Sequence, residues 1–576
     1  MSTASPSPPR PFWRDVALIV VLSAILTVPS MFTRDLWNPD EPRYTEVARE
    51  MVVLHDYLIP HLNGKVYAEK PPVFFWLTAL LWKAGLGLVS ARVLVALASL
   101  GTLLATYFFS RRFLKGDGPL LAALATLSLL FFVFVDGATS AVINPLEMLL
   151  VGSATLCGYL ALQRRTRRPG LWWLAAYGLA GLATLTKGPV GFLLPGVALA
   201  AYGLLDRKRV RAGGKVHALG ALLFVAIVLA WLVPAIASGG RAYAQTILVD
   251  QNLGRVVQSS SHANPFYYYI MKAPVLLLPW TPLLVLAIYS AVKLRREEGG
   301  GLPLFAATWM GATVAFLSCI SGKRTGYILP MVPAVGLLVG WHLTGAVSGR
   351  RLQWPRADLW LLRASLALVG LAAAAFLVLT FFRHGFAVLF QLEAATASGA
   401  EDVLDARWHV TAVALLLPPA ACALAGWFCA REHLTRASVL LALAVVLCAV
   451  WFDQAVTPAK NRAQSPRGFC DGALRYVKAE DALWFYDIGF SGTVTLYMNR
   501  GPIPVIDTPD GLRAALRAPG TWVISDVPRC EKVLTRAELV RYTVTKHILG
   551  DREMVLLRGE APPTAPGRAP GMDADQ

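Results

Sequence analysis

Residues 16–32 read VALIVVLSAILTVPSMF and contain no charged side chain, and the polar stretch TRDLWNPDEPRY follows at once as residues 33–44. A helix of about 20 apolar residues crosses roughly 30 Å of hydrocarbon. Residues 16–32 are therefore predicted to span a membrane. Because the run lacks a small-residue cleavage site, it is interpreted as an uncleaved first helix rather than a signal peptide.

Apolar runs of this kind recur along the chain. The candidate spans are residues 16–32, 71–89, 92–110, 119–135, 145–162, 171–186, 189–205, 217–237, 273–292, 302–320, 327–346, 359–382, 408–430 and 436–453. Apolar residues make up 56% of the 576 residues and charged residues only 16%, whereas soluble globular proteins carry about 25% charged residues. The composition predicts an α-helical polytopic membrane protein and excludes a soluble nucleic-acid binder, despite the net charge of +18.

The positions of the basic residues predict the topology, because lysine and arginine concentrate in cytoplasmic loops. Fourteen crossings would place the basic loops near residues 111–115 and 164–168 outside. If residues 71–89 do not cross, every later basic loop shares the side of the N-terminus. The N-terminus and these loops with their flanks then carry 23 basic and 7 acidic residues, and the rest of the chain carries a net charge of only +2. We therefore predict about thirteen transmembrane helices, with the N-terminus inside and the C-terminus outside.

The domain organisation follows from this topology. We predict a cytoplasmic N-terminus at 1–15, a transmembrane domain at 16–453 with outer loops 33–91 and 238–272, an α/β domain at 454–560 and a disordered tail at 561–576. Within the α/β domain, strands are predicted at 483–487, 493–497, 504–506, 522–525 and 554–557, and helices at 510–517 and 528–539. Five of the seven cysteines lie in apolar spans, so Cys470 and Cys530 leave only one extracytoplasmic bridge open.

The outer loops hold the residues that could take part in catalysis or binding. Asp40 and Glu41 lie where Pro42 predicts the first turn of a helix, close to the membrane surface. Glu69 and Lys70 form a second acidic and basic pair at the other end of the same loop. A capped, solvated helix would explain several of these charges, but the concentration of opposite charges at one interface favours a functional site.

Six motifs give the chain a family resemblance. They are Asp-Glu-Pro-Arg-Tyr (40–44), Ala-Arg-Glu-Met (48–51), Asn-Gly-x-x-Tyr-x-Glu-Lys-Pro-Pro (63–72), Leu-Thr-Lys-Gly-Pro-Val-Gly (185–191), Asn-Pro-Phe-Tyr-Tyr-Tyr (264–269) and Lys-Arg-x-x-Tyr-Ile-Leu-Pro (323–330). In this order they resemble the GT-C glycosyltransferases of family 39, and within that family the aminoarabinose transferases that modify lipid A. The match covers most of residues 16–350.

The resemblance implies a multi-pass enzyme of the bacterial inner membrane. It would transfer a sugar, 4-amino-4-deoxy-L-arabinose, from undecaprenyl phosphate to a lipid A phosphate on the periplasmic face, with inversion. A departing phosphate is already a stable anion, so one carboxylate suffices, in contrast to the carboxylate pair of a glycosidase. Asp40 matches that carboxylate in the family motif and would position or deprotonate the acceptor. The other partners are membrane lipids, and no nucleic acid is expected.

The resemblance also assigns the remaining site residues. Tyr67, Lys70, Arg255 and Tyr327 match positions that contact the donor phosphate. Glu41, Asn144 and Lys187 are candidates for substrate binding. In the family Glu69 can take part in a divalent metal site with a partner in the long outer loop, here Asp250 or His262, but two ligands do not make a convincing site. No obligatory cofactor is predicted.

One departure from the family pattern leaves the sugar open. Relatives often carry an acidic residue where this chain has Asn144, which can hydrogen-bond a sugar hydroxyl but carries no charge. Asp136 and Glu147 are close enough in sequence to compensate. Two alternatives therefore stay open: a family 39 transferase with another sugar or acceptor, such as protein hydroxyls or another envelope glycan, and a polytopic transporter or flippase.

Overall fold

The computed structural model of the chain is a helical bundle with a small sheet near the C-terminus. It describes residues 12–37, 39–129, 132–133, 137–206, 215–249, 264–294, 301–347, 360–371, 375, 417–418, 420–428, 434–455, 457–488, 491–549 and 552–560. Within these residues, seven helices are long and apolar enough to cross a membrane, and a bent pair at 268–276 and 281–293 gives an eighth. The predicted polytopic membrane fold is confirmed. The count of thirteen stays a prediction, because about half of the residues in spans 359–382 and 408–430 lie outside the described residues.

We label fifteen helices in the described part of the bundle. They are α1 (Phe12–Thr33), α2 (Asp40–Val53), α3 (Val73–Leu81), α4 (Ser90–Ser110), α5 (Gly118–Leu127), α6 (Asn144–Leu162), α7 (Pro169–Lys187), α8 (Val190–Leu205), α9 (Val216–Gln245), α10 (Tyr268–Leu276), α11 (Thr281–Lys293), α12 (Gly301–Ser318), α13 (Val332–Val347), α14 (Trp360–Leu371) and α15 (Leu434–Ala455). A 3-10 segment, Thr325–Met331, leads into α13. Small residues let the helices approach closely: a Cβ atom added at Gly340 of α13 would lie 2.7 Å from the amide nitrogen of Ala122 in α5.

The run at 71–89, predicted not to cross the membrane, is broken in the structure. Helix α3 covers only Val73–Leu81, and Gly85 (φ 92°) and Gly87 (φ 51°) then turn the chain before α4 begins at Ser90. Nine helical residues rise about 14 Å, roughly half of the hydrocarbon thickness. Helix α3 by itself is therefore too short to span.

A two-stranded hairpin lies between α2 and α3. Strands β1 (His61–Leu62) and β2 (Lys65–Val66) pair antiparallel around Asn63 and Gly64. Both turn residues have positive φ, 52° and 71°. Asn-Gly is the preferred pair for a two-residue hairpin turn, because both positions need the left-handed conformation. The motif Asn-Gly-x-x-Tyr therefore has a local structural reason in addition to any role in binding.

The C-terminal region is an α/β unit, as predicted. Its elements are α16 (Thr457–Gln464), α17 (Arg467–Ala473), β3 (Leu483–Tyr486), α18 (Ser491–Met498), β4 (Val505–Ile506), α19 (Pro509–Arg517), β5 (Trp522–Asp526), α20 (Val527–Cys530), α21 (Arg536–Tyr542), β6 (Thr543–Leu549) and β7 (Arg552–Arg558). The five-stranded sheet has the order β4-β3-β5-β7-β6, with β3 parallel to β4 and β5 and with β7 antiparallel to β5 and β6. Cys470 and Cys530 are free thiols in two separate hydrophobic clusters.

Three local predictions for this unit were wrong. Residues 493–497 were predicted as a strand but form the middle of helix α18, where Val494 and Met498 share the buried face four residues apart. The predicted helix at 528–539 is two short helices, α20 and α21, and the second begins with a capping box between Thr535 and Glu538. Strand β6 was not predicted, because its residues alternate without a strongly apolar face.

Candidate functional site

Helix α2 presents Asp40 at its first turn. Pro39 precedes the helix and Pro42 occupies its first turn, where the missing amide hydrogen costs nothing. The rest of the helix is unusually buried for a polar sequence: Thr45, Glu46 and Glu50 are fully covered. Asp40 itself is partly open, so the helix carries one accessible carboxylate at its N-terminal end.

Two arginines hold the Asp40 carboxylate. Arg43, one turn along α2, is bonded to its Oδ1 atom. The guanidinium of Arg324, which precedes the 3-10 segment, lies 3.1 Å from its Oδ2 atom. Arg324 belongs to the motif Lys-Arg-x-x-Tyr, but neither Arg43 nor Arg324 was predicted as a site residue. The motif could have indicated a role for Arg324. No local pattern could have predicted its contact with Asp40, because the two residues lie 284 positions apart.

Arg43 also connects Asp40 with the end of the outer loop. Its second terminal nitrogen lies 3.6 Å from Glu69, and its guanidinium lies over the rings of Tyr44 and Tyr67 at 5.4 and 6.0 Å. The Tyr67 hydroxyl donates to Glu69 at 3.3 Å. Burial raises the pKa of Tyr67 well above its usual value. At neutral pH this phenol is therefore a hydrogen-bond donor.

A second cluster lies where α6 begins and α7 ends. Lys187, the last residue of α7, donates to Asn144 Oδ1 at 2.7 Å and to Glu147 Oε2 at 2.5 Å. Its ammonium lies 4.8 Å from the centre of the Tyr327 ring. A cation at a helix C-terminus is also favoured by the helix dipole. Three residues that the sequence predicted separately, Asn144, Lys187 and Tyr327, are thus brought together.

The two clusters adjoin each other. Arg324 and Tyr327 lie in one tight turn, with the amide of Tyr327 donating to the Arg324 carbonyl at 3.2 Å. Tyr269, from the motif at 264–269, donates its hydroxyl to the same carbonyl at 3.1 Å. Lys70 donates to the Glu69 carbonyl at 3.3 Å and interacts electrostatically with Glu147. Residues of five of the six motifs therefore lie close together, whereas the motif at 48–51 lies at the other end of α2.

Glu41 differs from its neighbour Asp40. It is buried, and its carboxylate is paired with Arg34 and with Arg92, the latter at 3.4 Å. Arg92 also donates to the carbonyl of Arg34. These contacts tie the loop before α2 to helix α4. The predicted role of Glu41 in substrate binding stays a prediction, and its described contacts are structural.

Three predicted residues, Arg255, Asp250 and His262, lie outside the described residues. Among the residues that are described, no group of three His, Cys, Asp or Glu side chains could hold a metal ion. Glu69, the remaining predicted ligand, contacts Arg43 and Tyr67 instead. The predicted metal site therefore stays a prediction.

The site has a positive balance. Its carboxylates are Asp40, Glu69 and Glu147, and its cations are Arg43, Lys70, Lys187 and Arg324. One positive charge is in excess among these residues, and the phenol of Tyr67 adds a neutral donor. Such a set suits an anion such as phosphate, because charge-assisted hydrogen bonds from arginine and lysine are the strong ones. Asp40 adds a partly exposed carboxylate to this set.

The chain is similar to a protein family, to curated relatives and to solved structures. The family described as dolichyl-phosphate-mannose-protein mannosyltransferase matches residues 69–233. An undecaprenyl phosphate-alpha-4-amino-4-deoxy-L-arabinose arabinosyl transferase of Edwardsiella ictaluri (strain 93-146) is 31% identical over 349 residues, 59% of this chain and 61% of the relative. The protein of the same name from Pseudomonas paraeruginosa (strain DSM 24068 / PA7) is 27% identical over 509 residues, 87% of each chain.

The aligned region thus spans about three fifths of the Edwardsiella protein. Among solved structures, ArnT from Cupriavidus metallidurans bound to undecaprenyl phosphate aligns with 96% of this chain and 99% of its own, with a TM-score of 0.74 at 21% identity. Its apo form gives a TM-score of 0.73. Residues 69–233 therefore match the dolichyl-phosphate-mannose-protein mannosyltransferase family, the chain shares the polytopic membrane fold of ArnT, and the family resemblance of its motifs is confirmed.

Proposed function

We propose that the protein is a membrane glycosyltransferase that moves a sugar from an undecaprenyl-phosphate-linked donor to an acceptor at this site. The observation that carries the proposal is the Asp40 carboxylate, held between Arg43 and Arg324 beside Lys70 and Lys187. A catalyst for this reaction needs one carboxylate for the acceptor and several cations for the leaving phosphate. The names of the curated relatives support the same reading.

In the proposed mechanism, the cations stabilise the charge that develops on the leaving phosphate. Lys70, Arg324 and the hydroxyls of Tyr67 and Tyr327 supply donors, and Arg255 would add a further cation. Asp40 orients the acceptor for attack on the anomeric carbon from the face opposite the phosphate. The new bond forms to the acceptor oxygen, the bond to the phosphate oxygen breaks, and the configuration inverts. No general acid is needed, because undecaprenyl phosphate leaves as an anion.

We propose 4-amino-4-deoxy-L-arabinose as the sugar and a lipid A phosphate as the acceptor. The proposed location is the bacterial inner membrane, with the site and the C-terminal unit on the periplasmic side, and the distribution of basic loops supports this orientation. A lipid A phosphate is already nucleophilic near neutral pH, so Asp40 would act mainly by positioning it. A divalent metal is not part of this proposal, and activity in excess EDTA is the expected result.

A second candidate keeps the reaction and changes the sugar. Asn144 is uncharged, and the nearest carboxylate, Glu147, is already paired with Lys187. An amino sugar would have to compete with Lys187 for Glu147, whereas a neutral hexose would need only hydrogen bonds from Asn144 and Lys187. This pairing favours a neutral donor sugar, in line with the mannosyltransferase family that matches residues 69–233.

The test compares two donors with one purified protein. Undecaprenyl phosphate carrying aminoarabinose and undecaprenyl phosphate carrying a neutral hexose are each supplied with lipid A, and the products are weighed by mass spectrometry. Aminoarabinose on a lipid A phosphate supports the first candidate, and transfer of the hexose alone supports the second. Release of undecaprenyl phosphate from neither donor, with any acceptor, would refute the proposed function. Lipid A from cells with and without the gene provides the cellular control.

A further inference from the structure

The C-terminal unit is bonded to the hairpin beside the site. The side-chain amide of Asn63 exchanges two hydrogen bonds with the backbone of Ile503: its Nδ2 donates to the Ile503 carbonyl at 2.9 Å, and its Oδ1 accepts from the Ile503 amide at 2.7 Å. Asn63 is buried. Gly64 lies so close that an added Cβ atom would be 2.9 Å from the ring of Pro502. A planar amide thus pairs with a backbone much as a neighbouring strand would.

The same hairpin is bonded to the far end of helix α2. The carboxylate of Glu50 accepts the amide of Asn63 at 2.6 Å and the amide of Gly64 at 3.0 Å. One residue before Glu50, the guanidinium of Arg49 binds Glu46 through two nitrogens and also donates to the carbonyl of Arg500. Helix α2, the hairpin and the segment 500–503 of the C-terminal unit therefore form one hydrogen-bonded assembly.

The C-terminal unit also contacts the chain just before α2. Asn461 accepts the Asp35 amide at 3.1 Å and the Trp37 indole at 2.9 Å, and it donates to the Thr33 carbonyl at 2.7 Å. The Tyr497 hydroxyl accepts the Leu36 amide at 2.8 Å. Residues of the C-terminal unit thus hold the loop on both sides of the helix that carries Asp40.

The same contacts therefore position both parts of the site, namely Asp40 and the donors at 67–70. Helix α2 begins with Asp40, and the hairpin leads directly into Tyr67, Glu69 and Lys70. The amide of Tyr67 donates to the carbonyl of Pro60 at 2.7 Å, so the segment that bears the phosphate donors closes onto the base of the hairpin. A shift of the hairpin would move Tyr67 and Lys70 relative to Asp40.

We propose that the C-terminal unit sets the geometry of the site, with Asn63 as the positioning residue through which it acts. Asn63 touches no reacting atom in this proposal; it fixes the distance between Asp40 and the donors at 67–70. The kinetic part rests on the proposed function, and the structural part does not. The C-terminal unit, which contains no catalytic motif, thereby gains a role in the reaction.

The test uses full-length protein with Asn63→Asp, which keeps the size of the side chain but replaces the donor to Ile503 with an oxygen next to Glu50. Lys65→Ala is the matched control, because Lys65 is exposed on the same hairpin. Hydrogen–deuterium exchange followed by mass spectrometry is expected to speed up at 61–72 and at 500–503 in Asn63→Asp, and to stay unchanged in Lys65→Ala. Exchange in α6 and α13 should stay unchanged in both.

Kinetics then separate positioning from simple destabilisation. We expect the KM for the polyprenyl-phosphate donor to rise about tenfold in Asn63→Asp, because the loss of one hydrogen-bonded pair is worth about that factor. A purely structural role would lower the amount of active enzyme and leave KM as it is. Unchanged KM, or unchanged exchange at 67–72, would overturn the proposal. If the wild-type protein transfers no sugar, the proposed function fails, whereas the exchange experiment still decides whether the C-terminal unit holds the site.

Discussion

The two ends of helix α2 use the same side chains for different purposes. At the N-terminal end, Asp40 is 20% exposed and its partners Arg43 and Arg324 are 28% and 41% exposed. At the other end, Glu46 and Arg49 form an equally close ion pair at 0% and 3% exposure. A buried ion pair holds elements of the structure together, whereas a partly exposed ion pair leaves polar atoms to which a ligand can bind. The difference lies in what covers each pair: the C-terminal unit contacts Arg49 at one end, whereas the described residues leave Asp40 and Arg43 partly exposed at the other.

We call the N-terminal end of α2, with Asp40, the open end, and the other end, with Glu46 and Arg49, the closed end. The largest effect is expected at the open end. Asp40→Asn keeps the size of the side chain and removes its charge, so acceptor positioning and both arginine contacts weaken. We expect kcat to fall about a thousandfold, within the range typical of a lost acid–base or positioning group. The measurement is the rate of undecaprenyl phosphate release. Asp471→Asn, at an exposed carboxylate of the C-terminal unit, serves as control and should retain its rate.

The same substitution at the two ends should have opposite consequences. Arg49→Met leaves Glu46 buried without its partner, which costs about 3–5 kcal/mol in comparable cases, so the melting temperature should fall sharply. Arg43→Met leaves a partly exposed Asp40 that still has Arg324, so its melting temperature should change little while transfer is largely lost. Thermal unfolding in detergent gives the melting temperature of each variant, and the transfer assay gives its activity. Equal losses of stability in the two variants would contradict the distinction between a closed and an open end.

Arg324 tests whether the open pair needs a planar guanidinium. In Arg324→Lys the charge stays, but the flat pair of donors is lost, and arginine and lysine are not interchangeable at such sites. We expect kcat/KM to fall about tenfold, equivalent to roughly 1.4 kcal/mol. Arg467→Lys is a matched control, because Arg467 makes a similar contact of 3.2 Å to Asp35 on an exposed surface. That control should change kcat/KM by less than about twofold, as exposed ion pairs contribute little.

Sequence patterns reveal the open end better than the closed one. Asp40, Tyr67, Lys70, Lys187 and Tyr327 were predicted as site residues because each lies in a motif, and the apolar runs predicted the membrane fold. The pairing of Asp40 with Arg324 joins residues 284 positions apart, and no local pattern encodes such a contact.

The closed end was also missed for a physical reason. Glu46, Arg49 and Glu50 resemble the solvated face of a helix, since charged residues one turn apart are common there. Their burial depends on the C-terminal unit, whose segment 500–503 carries no recognisable motif. Glu41 shows the same limit: beside Asp40 in sequence, it points into a buried pair with Arg34 and Arg92. Neighbouring positions in a motif can thus serve binding and structure separately.

The smallest effect concerns Glu50 and is seen only through pH. Burial raises the pKa of Glu50 to about 7, although the amides of Gly64 and Asn63 act in the opposite direction. The folded state therefore holds this proton more tightly than the unfolded state, in which a glutamate titrates near pH 4.3. The stability from Glu50 is fully present below that value and is lost as the pH rises towards 7.

Glu50→Gln cannot ionise, so its melting temperature should fall less than that of the wild type between pH 5 and pH 8. The variant also loses one of two acceptors for the hairpin amides, so it should be the less stable protein at pH 5 and recover relative to the wild type at pH 8. Glu480→Gln, at an exposed glutamate of the C-terminal unit, should follow the wild-type curve. Parallel pH curves for Glu50→Gln and the wild type would show that the hairpin is not held by a titrating carboxylate.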